Sequence, residues 1–140
     1  MDGIRITAAE ALTDAQRDAV IAPLGRFSEG RGFPFRPEAV ALVLTRGEAV
    51  LGGLIGATNW DWLHIEILSV AEALRGTGWG RRLVEEAESI ARARGCAGAW
   101  VDTFSFQSPG FYRRLGYEVF GELPHYPGAE SRLFLRKLFG

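Results

Sequence analysis

The chain has 140 residues, 47% hydrophobic and 24% charged, enough for one domain (1–140) with its own core and no need of disulfides or metal. Sixteen Lys and Arg against seventeen Asp and Glu give a formal charge of −1, which argues against nucleic acid as the main partner. A lone cysteine, Cys96, excludes an internal disulfide framework, and with no signal pattern or bilayer-length apolar run the expectation is a cytoplasmic protein without a membrane partner.

In chain order, residues 3–7 alternate weakly and are expected as a first strand. Thr13 or Asp14 can cap a helix running through Ala15, Ala19 and Val20 toward Leu24, with Pro23 as a possible kink. Residues 25–37 carry Gly25, Gly30, Gly32, Pro34 and Pro37 among Phe27, Phe33 and Phe35, and read as an aromatic loop. Residues 39–45 and 48–58 read as a hairpin turning at Arg46-Gly47. Residues 62–70 form a further strand, with His64, Glu66 and Leu68 expected on one face and Leu63, Ile65 and Ile67 on the other.

The run Leu74-Arg75-Gly76-Thr77-Gly78-Trp79-Gly80-Arg81 follows. Alternating glycines there release the backbone, so that successive N–H groups can turn toward an anion, helped by the helix that follows and by Arg75 and Arg81. The spacing excludes a dinucleotide fingerprint, which needs G-x-G-x-x-G and a later acidic residue. It also excludes a triphosphate loop, which needs Gly-Lys-Ser/Thr; Lys137 is the chain's only lysine. Beyond the loop, Leu83, Ala87, Ile90 and Ala91 lie at helical spacing up to Gly95, and 97–104 form a strand parallel to 62–70. Ser108 and Pro109 open a short helix closed by Gly116, and 117–123 and 131–138 finish as strands. This is an α+β fold, a mostly antiparallel sheet of about seven strands with one parallel pair, flanked by helices.

Arg75-Gly76-Thr77-Gly78-Trp79-Gly80 resembles the R/Q-x-x-G-x-G/A signature of the GNAT-type N-acetyltransferases. Phe111-Tyr112-Arg113-Arg114-Leu115-Gly116-Tyr117 resembles their second familiar stretch, and about 35 residues separate the two, as in that family. The resemblance implies a transferase that moves an acetyl group from acetyl-CoA to a primary amine by direct attack, with no metal. Leu68, Ser69 and Val70 would offer main-chain groups to the pantetheine arm and thioester carbonyl. The N–H groups from Arg75 or Gly76 through Thr77, Gly78, Trp79, Gly80 and Arg81 would hold the pyrophosphate. Tyr112 matches the tyrosine near the coenzyme sulfur, able to protonate or hydrogen-bond the leaving thiolate. His64 and Glu66 are the candidate bases for the acceptor ammonium, with Asp61 and Asp102 behind them.

Two departures stand out. Ser105 occupies the place of a frequent family asparagine, which leaves Gln107 as a substitute contact to the cofactor or the acceptor. Cys96 reads as a small buried residue rather than an acyl carrier. Phe27, Phe33, Phe35, Trp60, Trp62, His125 and Tyr126 could wall a site for a small apolar or aromatic amine, and the apolar last strand could support a homodimer. The alternatives are an inactive acyl-CoA-binding module and an enzyme acting on a protein amine.

Overall fold

In the computed structural model, which describes residues 3–140, the chain divides after Phe35 into two units. The first holds helix α1 (Asp14–Gly30), and Thr13 is its cap. The Thr13 Oγ1 accepts the Gln16 N–H at 3.1 Å, and the Gln16 side-chain oxygen accepts the Thr13 N–H at 2.9 Å. The helix runs through Gly25 and Pro23 and ends six residues beyond Leu24, so the segment expected as loop from Gly25 is helical to Gly30. A glycine ends a helix where its backbone turns left-handed, and here that first happens at Gly32, φ +87°. Residues 3–7 form no strand: Gly3 is left-handed, and no described strand pairs with them.

The second unit is a six-stranded mixed sheet. In chain order it contains β1 (Glu38–Arg46), β2 (Ala49–Asn59), β3 (Trp62–Val70), a 3-10 turn (Glu72–Leu74), α2 (Trp79–Ala93), β4 (Gly98–Phe104), α3 (Pro109–Arg114), β5 (Glu118–Pro124) and β6 (Ser131–Leu138). The strand order is β1-β2-β3-β4-β6-β5, antiparallel throughout except for β3 beside β4. The expected parallel pair is present, and the sheet has one strand fewer than expected. β6 lies inside the sheet, so its apolar content is spent on the core through Leu133 and Leu135 rather than on an edge.

Leu83, Val84, Ala87 and Ala91 of α2 pack with Leu63 and Ile65 of β3, Ala99 and Val101 of β4, and Tyr112 and Tyr117 into one core. Removing a leucine, isoleucine or valine side chain from water there contributes roughly 1.5–3 kcal/mol. Two polar clamps tie α2 to the sheet. Arg94, at the helix C-cap, ion-pairs Glu38 at 2.9 Å and donates to the carbonyls of Glu38 and Ala39 and to the Thr58 hydroxyl. Inside the core, Glu88 accepts from the Tyr117 hydroxyl at 2.7 Å and from Lys137 at 2.9 Å. Ser108 sits at the start of α3, yet its hydroxyl makes no capping bond; its carbonyl accepts the Phe111 N–H at 3.2 Å instead.

Burial, then the charge and hydrogen bond of Glu88, push the Tyr117 phenol far above its ordinary value. Burial and then the Asp102 charge push Tyr112 up to about 12. A phenol held neutral in the folded state stabilises it fully below the unfolded value near 10 and loses that contribution as pH rises toward the folded value. Urea-unfolding midpoints are therefore expected to fall between about pH 10 and 12. Tyr117→Phe should cost about 1–3 kcal/mol at neutral pH and make that alkaline fall shallower. An alkaline profile identical to that of the unaltered protein would exclude Tyr117 as its source.

Candidate active site

β3 and β4 pair over only four residues each, Trp62↔Gly98 through Ile65↔Val101, and then separate. β3 continues to Val70 along β2, while β4 continues to Phe104 along β6. On the β2 side, Ile67 pairs with Ile55 and Ile65 with Gly56, which leaves Glu66 as an extra residue, a β-bulge. Gly56 permits it: a Cβ there would lie 2.4 Å from the His64 carbonyl oxygen. Past the bulge the alternation changes phase. Leu68 and Val70 pack against the core with Leu63 and Ile65, whereas Ile67 is exposed. Leu68 therefore leaves the His64 face and Ile67 leaves the Leu63 face, a reversal of the expected pattern. Main-chain groups of Glu66–Val70 on the β4 side have no strand partner among the described residues.

β3 leads through the 3-10 turn into the glycine loop. Gly76 (φ +76°) and Gly78 (φ +91°) are left-handed, and a Cβ on either would meet nothing within 4 Å. Gly80 serves another purpose. It lies in the first turn of α2, where a Cβ would press on the Phe111 ring at 3.3 Å, so its bareness lets α3 pack against α2. Of the loop amides, Arg75 N–H is taken by Glu72 O and Thr77 N–H by Leu74 O. Those of Gly76, Gly78, Trp79, Gly80 and Arg81 meet no acceptor among the described residues. Five free donors at the start of a 15-residue helix form an anion cradle. Arg75 and Arg81 stand exposed beside it, Arg81 paired with Glu85 at 2.6 Å, and Arg82 lies over the Trp79 ring.

On the sheet face opposite α2, alternation along β4 sets Trp100 and Asp102 side by side. The His64 ring stacks on Trp100 with centroids 3.7 Å apart and planes parallel, and its Nε2 lies 3.2 Å from Asp102 Oδ1. Arg132, brought by the β4–β6 register, donates to the other carboxylate oxygen through Nε at 2.9 Å and also through Nη2. Its Nη1 donates to the Tyr126 hydroxyl at 3.2 Å. Burial by itself would raise the Asp102 pKa, but the hydrogen bonds from Arg132 and His64 and their charges outweigh it and hold the carboxyl below its ordinary value. Next to this cluster the same face carries a hollow of about 470 Å³ walled by Trp62, Trp100, Phe120, Phe134 and Arg136.

Tyr112 lies on the other side. Its ring is buried in edge contact with Phe111 and Tyr117, and its hydroxyl bonds to no described side chain. Ser105 anchors the chain before β6, taking the Ser131 N–H at 2.9 Å and meeting Glu130. Gln107 folds back on β4, where its side-chain oxygen accepts from the Thr103 hydroxyl and the Phe104 N–H. Its amide oxygen is thus committed to the strand rather than turned to a ligand. Burial and then the Asp61 charge push the Cys96 thiol up, against Arg94, and it sits at the α2–β4 junction.

Of the candidate residues, the structure brings Leu68, Ser69 and Val70 to the strand end that lacks a partner on the β4 side, and the amides of Gly76, Gly78, Trp79, Gly80 and Arg81 to the cradle, while the expected N–H donors of Arg75 and Thr77 are taken up inside the turn. It joins His64 to Asp102 and leaves Glu66 exposed, without an ion pair among the described residues. Arg132 escaped sequence reasoning. Alternation does place Arg132, Phe134 and Arg136 on one face of a strand, but only the pairing with β4 shows which carboxylate Arg132 meets.

The acetyltransferase (GNAT) family model matches residues 9–117. A blasticidin-S acetyltransferase of Streptomyces morookaense is 46% identical over 95 residues, 66% of this chain and 69% of that protein. Acetyltransferase Atu2258 of Agrobacterium fabrum is 35% identical over 126 residues, 89% of each chain. The crystal structure of an acetyltransferase from Bacillus cereus superposes with a TM-score of 0.84 at 30% identity, covering 95% of this chain and 98% of that one. With the split between two parallel strands and the amide-lined loop beside it, these similarities make the chain a member of the GNAT acetyltransferase family and an acyltransferase.

Proposed function

We propose that residues 1–140 act as a single N-acetyltransferase domain that carries an acetyl group from acetyl-CoA to the primary amine of a small molecule. The observation that carries this reading is the edge of β3 from Glu66 to Val70, paired with β2 on one side and without a strand partner on its β4 side, followed through the 3-10 turn by the amides of Gly76 and Gly78–Arg81, which meet no acceptor among the described residues. A linear ligand ending in a pyrophosphate fits that sequence of donors: an extended arm along the strand edge, then two phosphates on the cradle.

Acetyl-CoA supplies the acyl thioester: as the amine nitrogen bonds the carbonyl carbon, the C–S bond breaks with its electron pair on sulfur, and nitrogen sheds one proton. The amide of Val70 is the assigned donor to the thioester oxygen. The amine enters the step neutral, since a protonated amine has no lone pair to attack with, and His64 takes the one proton it sheds on bonding the carbonyl carbon. Tyr112 steadies the departing thiolate. A phenol raised to about 12 facing a thiol near 8.5 makes full proton transfer uphill by roughly 5 kcal/mol, so the Tyr112 hydroxyl donates a hydrogen bond and keeps its proton. Glu66, exposed on the bulge, is the reserve base.

The hollow beside His64 supports a small acceptor. Its volume suits a compact molecule, and two indoles with two phenyl rings favour a flat, apolar one. The relative named for blasticidin-S points to a small molecule as well.

Thiol release from acetyl-CoA across a panel of amines tests the reading directly. Release with at least one small amine is expected; coenzyme binding with no release from any small amine or peptide would favour a binding module, and release with peptides alone a protein substrate. Tyr112→Phe should lower turnover about 10-fold, the worth of one hydrogen bond to a charged group, with acetyl-CoA affinity within about 3-fold. Unchanged turnover would remove Tyr112 from the chemistry. Gly78→Val places a branched side chain at φ +91° and should weaken acetyl-CoA binding at least about 30-fold by calorimetry, while normal affinity would take the loop out of the site.

A further inference from the structure

The proton acceptor proposed at His64 needs a defined nitrogen. Neutral imidazole carries one N–H and one lone pair, and only the lone pair can take a proton. An ionised carboxylate accepts hydrogen bonds and cannot donate one, so the nitrogen facing Asp102 must be the N–H. That nitrogen is Nε2, 3.2 Å from Asp102 Oδ1. The lone pair is then on Nδ1, which meets no hydrogen-bond partner among the described residues. Stacking on Trp100 at 3.7 Å holds the plane of the ring, and Asp102 holds its rotation within that plane. Arg132 occupies the other carboxylate oxygen through Nε and Nη2, so the two oxygens of Asp102 are divided between a permanent cation and the imidazole.

We propose that Asp102, locked by Arg132, is the positioning residue that sets His64 in its Nε2–H tautomer and presents the Nδ1 lone pair to the acceptor amine. This rests on the reading of His64 as base. In the transfer step the proton leaving the amine nitrogen binds Nδ1, and the resulting imidazolium keeps its Nε2–H bond to the Asp102 carboxylate until the proton passes to water. Arg132 and Asp102 offset each other's charge, one guanidinium against one carboxylate.

Asp102→Asn separates positioning from packing, because an amide has nearly the shape of a carboxylate but only one acceptor oxygen. Arg132 claims that oxygen, the amide NH₂ turns toward His64, and Nε2 must become the acceptor. The tautomer then reverses, and the lone pair is lost from Nδ1.

Two measurements on the full chain test this. Long-range 15N–1H spectra of the unaltered protein at about pH 8, above the ordinary histidine range, should show His64 protonated at Nε2 and bare at Nδ1. The pattern should be reversed in Asp102→Asn. In thiol-release assays Asp102→Asn should lower kcat at least about 30-fold, within the range general bases contribute, with the amine KM within about 3-fold. His64→Gln should fall to a similar level, and the double variant should fall no further. An Nδ1–H tautomer in the unaltered protein overturns the proposal, and so does full turnover in Asp102→Asn. The spectrum of the unaltered protein needs neither a folded variant nor an active assay. A chain that releases no thiol with any amine while its His64 shows the Nε2–H tautomer would sink the functional reading and leave the orientation by Asp102 standing.

Discussion

The structure depends on a parallel ladder that stops after four residue pairs. β3 and β4 are joined from Trp62 to Ile65, and from there each follows a different neighbour. A sheet that closed this gap would satisfy its main chain internally and leave nothing for a ligand. The gap is kept open from both sides. The Glu66 bulge shifts the register of β3 on β2, where Gly56 leaves room for the close approach. On β4, the Gln107 side-chain oxygen takes the Phe104 N–H and the Thr103 hydroxyl, while β6 pairs along the opposite edge.

The face under α2 holds the apolar core and Tyr112, whose raised pKa is the direct result of that burial. The opposite face holds His64, Asp102 and Arg132 beside an aromatic hollow. The two environments differ in dielectric and in charge, so a phenol stays neutral on one side while a carboxylate stays ionised on the other. Among the described residues no three His, Cys, Asp or Glu side chains come together as a metal site, and no helix is long and apolar enough to cross a membrane.

The glycines of the loop show how one local signal conceals separate causes. Gly76 and Gly78 are needed for their backbone angles, with open space where a side chain would stand. Gly80 is needed because the Phe111 ring stands there. In the sequence the three form a single alternating pattern. Only the packing of α3 on α2 separates an anion cradle from a helix contact.

Much of the fold was readable from the chain itself, because its signals are local. Apolar runs bounded by turn residues marked β1 to β6, the 3.6-residue spacing of Leu83, Ala87 and Ala91 marked α2, and the glycine and tyrosine motifs pointed to the family. What the chain concealed is non-local. The bulge at Glu66 reverses which of Ile67 and Leu68 is buried, and a period of two read from residues 62–70 cannot reveal an inserted residue. The meeting of Arg132 with Asp102 depends on β6 lying between β4 and β5, a register set by packing between strands thirty residues apart. Sequence alone determined the strands and helices from Glu38 onward and the glycine loop before α2, since backbone angles and amphipathic faces are written in neighbouring residues. The tertiary structure decided where the strands part and which charges meet, since those choices are made only when distant segments compete for the same core.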